Sequence, residues 1–106
     1  MKKIIILLLS GVLLSCTQEA PPGNQSQFDN LVVSYVRLGL TVGQYDSDFV
    51  DAYYGPDSLR PTNAPRVVMP KDSLLQATAA LLKAFQDIAS SEKNDTLRQR
   101  ALWISH

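Results

Sequence analysis

Fifteen residues at the N-terminus decide how much of this chain is left to fold. Met1-Lys2-Lys3 opens it with positive charge, and Ile4 to Leu14 follow as a mostly apolar run broken only by Ser10 and Gly11. A helix that crosses a membrane needs about 20 apolar residues, so this run is too short to span. Positive charge followed by a short apolar segment is the pattern of a secretory signal that is cut away. Removing residues 1–15 from the 106 leaves 91. A chain of that size buries roughly 60–65% of its unfolded surface, enough for one small domain with a thin core.

The end of the leader reads Leu13-Leu14-Ser15-Cys16 and resembles the lipobox of bacterial lipoproteins. The resemblance implies that the Cys16 thiol receives a diacylglyceryl group, that the peptide is cut just before it, and that the new N-terminus is acylated as well. Each buried methylene contributes about 0.8 kcal/mol, and stable anchoring takes two chains or more. Lipid on Cys16 thus replaces a transmembrane helix, and the expected location is the bacterial cell envelope, facing the periplasm or the cell exterior. Residues 17–27 are polar, contain Pro21, Pro22 and Gly23, and show no period; they read as a flexible tether. The expected organisation is a signal peptide over 1–15, a lipidated cysteine and linker over 16–27, and a folded domain over 28–106.

Charge and rare residues narrow the chemistry. The ten basic side chains include Lys2 and Lys3, which leave with the leader, so eight face ten acidic groups and the mature net charge is −2. No basic run of five or six residues occurs. Nucleic acid therefore has no electrostatic footprint to bind, and no polybasic stretch addresses anionic lipid. The expected partner is the membrane, reached through Cys16; protein partners stay open. Cys16 is the single cysteine, so no intrachain disulfide forms, and His106 is the single histidine. A zinc site normally takes at least three protein ligands, so Cys and His within this chain do not build one.

Periodicity points to helices. Phe28, Leu31, Val32, Tyr35, Leu38 and Val42 recur at three- and four-residue steps, predicting a helix over 27–42, with Val33, Val36 and Leu40 as a second strip and Gly43 as its C′ residue. Asp46, Ser47 and Asp48 can cap a short second helix with Phe49, Val50, Tyr53 and Tyr54 on its apolar face, ended by Gly55-Pro56. Pro70 is placed at the first position of a third helix over 71–90. Its stripe is Leu74, Thr78, Leu81, Phe85 and Ile88, widened by Leu75, Leu82 and Ala89. Asn94 or Asp95 can cap a fourth helix carrying Leu97, Ala101 and Ile104, beside Leu102 and Trp103. The expected fold is all-α, a small antiparallel bundle of about four helices, one of them short. The last helix reaches His106 with no glycine, proline or polar tail, so it is expected to continue in a longer protein.

Candidate chemistry is sparse. Asp46, Asp48 and Asp51 sit near one another, but an EF-hand wants Gly at the sixth loop position and Glu at the twelfth, where this chain has Asp51 and Asp57. Helix capping accounts for these aspartates. Tyr53 and Tyr54 are a candidate ligand or packing surface, with packing against a neighbouring helix the simpler role. The serines lack a histidine base within the expected core, so a Ser-His-Asp arrangement is not supported. Trp103 beside Arg100 reads as a core residue next to a solvated cation.

The runs Tyr35-Val36-Arg37-Leu38-Gly39-Leu40 and Phe49-Val50-Asp51-Ala52-Tyr53-Tyr54-Gly55-Pro56 resemble the start of large, poorly characterised bacterial proteins with a zinc-metallopeptidase-like later half. Arg98-Gln99-Arg100-Ala101-Leu102-Trp103 echoes an Arg-rich helix of that family. The likeness covers about Leu31 to Trp103, and only Phe49 to Pro56 is specific. The family's metal motif, His-Glu followed by Pro-Gly-His-His, matches no position here, so no catalytic or metal residue carries over and zinc belongs only to a longer protein. The resemblance implies a helical N-terminal region of a larger envelope protein, a metal-dependent hydrolase when complete. The competing expectation is a self-contained, non-enzymatic lipoprotein that binds or scaffolds at the membrane.

Overall fold

A computed structural model describes residues 24–106. The leader over 1–15, Cys16 and the tether as far as residue 23 lie outside the described residues. The described chain is all-α: α1 (Asn24–Gly43), a 3-10 turn at Asp57–Leu59, α2 (Lys71–Ser91) and α3 (Asp95–Ile104). It contains three α-helices where four were expected.

α1 begins within the stretch expected to be tether. Asn24 to Gln27 are helical, and the Gln25 side-chain amide donates to Asp29 Oδ1 at 2.8 Å one turn on. At the other end Gly43 is the last helical residue rather than a left-handed C′ position, since no described glycine has positive φ. The Tyr45 and Asp46 N–H groups both return to the Val42 carbonyl, at 2.9 and 3.1 Å. Gly43 serves packing instead: a Cβ there would lie 3.4 Å from Val50 Cγ2.

The expected helix over 46–54 does not form. The Phe49 N–H donates to the Asp46 carbonyl at 3.2 Å, and the Asp48 N–H donates to Asp46 Oδ1 at 3.1 Å. Asp46 thus closes a side-chain-stabilised turn instead of capping a helix, a standing alternative for aspartate. A helix that short gains few hydrogen bonds after its costly first turn, and of its expected apolar face Phe49 and Tyr54 stay largely exposed, at 57% and 96%.

α2 matches its expected span closely, with Pro70 at the N-cap position instead of the first helical one. Asp72 stands in its first turn, where the helix dipole favours an anion. Three residues separate α2 from α3, which starts under an Asn94 cap whose Oδ1 accepts the Leu97 N–H at 3.1 Å.

The core is where the three helices meet. Phe28 of α1, Phe85, Ile88 and Ala89 of α2, and Leu97 and Ala101 of α3 form one buried cluster, with Leu31, Val32 and Leu81 packed on its edge. The Phe28 and Phe85 rings meet edge to face, centroids 5.8 Å apart at 74°, the arrangement their quadrupoles favour. The Arg100 guanidinium lies 4.8 Å from the Phe28 ring centroid, on α3. Fully burying such a side chain contributes roughly 1.5–3 kcal/mol.

Three apolar placements differ from expectation. Trp103 is 78% exposed: at 3.6 residues per turn it lies about 200° around α3 from Ala101, on the face away from the core. Tyr35 of α1 and Leu75 and Leu82 of α2 also face solvent, so both stripes are narrower than the sequence indicates. Leu40, from the second strip of α1, is buried in their stead.

Candidate functional site

The connection from Gln44 to Pro70 has no regular structure beyond the turn at Asp57–Leu59. Structureless connections longer than about 12–15 residues are uncommon in compact domains and tend to carry function. This one is tied back to the end of α1. The Gln44 side-chain amide donates to the Asn63 carbonyl at 3.2 Å, and the Arg66 N–H donates to the Tyr45 hydroxyl oxygen at 3.0 Å. Arg60 holds the middle: Nε donates to Asp57 Oδ1 and Nη2 to the Tyr53 carbonyl, both at 3.0 Å.

These ties frame a polar cleft of about 540 Å³ between α1, the connection and the start of α2. Arg37 and Thr41, one turn apart, line it from α1, Gln44, Tyr45, Arg60 and Arg66 from the connection, and Ser73 from α2. No Asp or Glu among the described residues lines it.

A second, apolar groove of about 470 Å³ runs between α1 and α2. Tyr35, Leu38 and Val42 line it from α1, Leu81, Leu82 and Phe85 from α2, with Phe49 and Ile104 also in the lining. Several of these side chains stand largely in solvent, with Phe49 at 57% exposure and Leu82 at 41%.

The two sequence candidates separate. Tyr53 is half-buried in a smaller cleft with Leu40, Val50 and Arg60 at the end of α1. Its hydroxyl donates to the Pro56 carbonyl at 3.1 Å, and the Arg60 guanidinium covers its ring at 4.8 Å. That is the packing role, exercised against the connection and the end of α1. Tyr54 is 96% exposed and does not join it. Gly55 makes the Tyr53 position possible, because a Cβ there would stand 2.7 Å from Tyr53 Cε2. Cys16, the expected lipidation site, lies outside the described residues.

The arginines of the polar cleft escape a sequence reading because they never form a run: Arg37 sits on α1 and Arg60 and Arg66 on the connection. One signal was available. From Leu59 to Lys71 the chain holds Arg60, Arg66 and Lys71 and no acidic residue.

Glu92, between α2 and α3, is more acidic than an ordinary glutamate. The Asn94 backbone N–H, at 2.7 Å, holds its carboxyl below the ordinary range, helped by the Asn24 side chain. Among the described residues no three His, Cys, Asp or Glu side chains stand together as a metal site. No described helix is long and apolar enough to cross a membrane. In comparisons with protein-family models, with curated proteins and with solved structures, no match to the chain was found.

Proposed function

We propose that this chain is a lipid-anchored lipoprotein of the bacterial cell envelope whose helical domain is the N-terminal, non-catalytic module of a larger protein. The observation that carries the reading of a module is the open apolar groove of about 470 Å³ between α1 and α2. Exposed apolar surface gathered into one concavity marks a place for further polypeptide or another apolar partner. Phe49, the first residue of the run that resembles the metallopeptidase-like family, lines that groove. Hydrolytic chemistry in the intact protein belongs to its later part, and the described domain supplies tethering and a surface to pack against.

Anchoring rests on Cys16 and is tested apart from the groove. Cells expressing the chain are fed labelled palmitate, and the expected result is label on the protein that disappears in Cys16→Ala. An unlabelled wild-type protein with a free thiol defeats the anchor. For the module, a polar change in the groove lining, Phe49→Ser, is expected to leave folding intact and weaken association with the rest of the polypeptide. Unchanged association defeats the docking role.

A further inference from the structure

We infer that the polar cleft between α1, the Gln44–Pro70 connection and α2 binds a phosphate group, carried either by an anionic lipid headgroup or by a small soluble molecule. Arg37, Arg60 and Arg66 line one concavity that no Asp or Glu among the described residues lines. Asp57 neutralises Arg60 from outside the lining, at 3.0 Å. Arg37 and Arg66 make no ion pair among the described residues. Two arginines without an ion-pair partner among the described residues therefore line one cleft.

Like charges in one concavity repel unless a counter-charge sits between them, and a low-dielectric wall focuses their field into the space they share. Guanidinium is the group best matched to a tetrahedral oxyanion, since its fork donates two parallel hydrogen bonds. Neutral donors complete the lining. The Tyr45 hydroxyl accepts the Arg66 N–H, which leaves its own proton free to donate. Ser73 contributes a hydroxyl from α2, whereas the Thr41 hydroxyl is spent on the Arg37 carbonyl at 2.8 Å. At about 540 Å³ the cleft is far roomier than an inorganic ion needs, so the phosphate arrives on a larger body.

The cleft is also held open in advance. The bonds from Gln44 to Asn63 and from Arg66 to Tyr45 fold the connection back on its own start, just past the end of α1, without using any guanidinium. Preorganisation of this kind removes part of the ordering cost of binding.

The test is arginine footprinting of the purified full chain with phenylglyoxal, read peptide by peptide by mass spectrometry, with the paired surface Arg98 as internal reference. Glycerol 3-phosphate in neutral detergent is the soluble probe; phosphatidylglycerol vesicles against phosphatidylcholine vesicles are the headgroup probe. Modification of Arg37 and Arg66 is expected to slow roughly tenfold at about ten times the Kd, with Arg98 unchanged. Protection by glycerol 3-phosphate supports a soluble ligand; protection only on phosphatidylglycerol supports a headgroup. In Arg66→Gln the Kd is expected to rise by about tenfold or more, the size of one charge-assisted bond, which at the same ligand concentration cuts Arg37 protection from about tenfold to about twofold or less. Unchanged rates under every condition, equal slowing at Arg98, or full Arg37 protection in Arg66→Gln overturns the proposal. The detergent arm does not depend on lipid at Cys16, so its failure is distinct from failure of the anchor.

Discussion

Replacing Phe28 by leucine isolates what the aromatic ring contributes to this thin core. The ring is fully buried, so leucine keeps an apolar side chain there but removes two specific contacts. One is the edge-to-face pair with Phe85, centroids 5.8 Å apart, worth about 0.5–1.5 kcal/mol beyond area. The other is the Arg100 guanidinium 4.8 Å from the ring centroid, worth about 0.5–1 kcal/mol at an exposed site. The expected loss is roughly 1–2.5 kcal/mol. A domain of this size sits at the low end of an overall stability of about 5–15 kcal/mol, so the loss is a sizeable share. At about 4–8 °C per kcal/mol for 60–100 residues, Tm falls by roughly 4–20 °C. The assay is thermal melting followed by helical circular dichroism, in a cycle with Arg100→Gln. A coupling of about 0.5–1 kcal/mol between the two positions is expected. If Phe28→Leu melts as the wild type does, or if Arg100→Gln costs the same in both backgrounds, the account of the core is wrong.

Other expectations follow from single contacts. Asn94→Ala removes the side-chain acceptor of the Leu97 N–H and is expected to cost about 1 kcal/mol, read as a lower urea midpoint with unchanged slope. Gly55→Ala forces Tyr53 out from under Arg60; the expected readouts are a changed Tyr53 ring environment by NMR and a loss of at most about 1–2 kcal/mol. Glu92 ionises more readily in the folded chain than in the unfolded one. Its contribution is therefore present above the ordinary glutamate value of 4.5 and is lost as pH falls through its lower folded value. Melting across that acid range is expected to show wild type losing stability that Glu92→Gln does not lose, and parallel curves contradict the bond to Asn94. Trp103→Gln is expected to change stability by no more than about 0.5 kcal/mol, and a large loss by chemical denaturation returns Trp103 to the core.

The helices were legible wherever a long apolar period met a clear stop. α2 is the strongest case: its stripe through Leu81, Phe85 and Ile88, its alanines and the proline before it agree on one span. What the period cannot specify is how wide a face the neighbours cover. With only α1 and α3 to shield it, α2 buries Phe85, Ile88 and Ala89 but leaves Leu75 and Leu82 in water. The segment after α1 failed for a different reason. Capping aspartates, tyrosines and a Gly-Pro stop compose a plausible short helix, yet the same Asp46 side chain closes a turn two residues on, and Val50 and Tyr53 reach the end of α1 from non-helical backbone. Tyr53 was legible as a packing residue, but its partner, Arg60, was not, since a cation over a ring across seven residues leaves no pattern. The arginine cleft is the least legible feature, because it exists only once the connection folds back on α1.

Phe28 lies one helical turn inside Asn24, where the described chain begins. Tension on an anchor at Cys16 would enter the domain through that first turn and act at once on the ring wedged against Phe85 and Arg100. The load would meet its strongest resistance at the point of entry, so stretching would tend to break the domain all at once instead of unravelling α1 step by step. Bilayer undulation would then leave the Arg37 cleft, farther along the same helix, mechanically shielded.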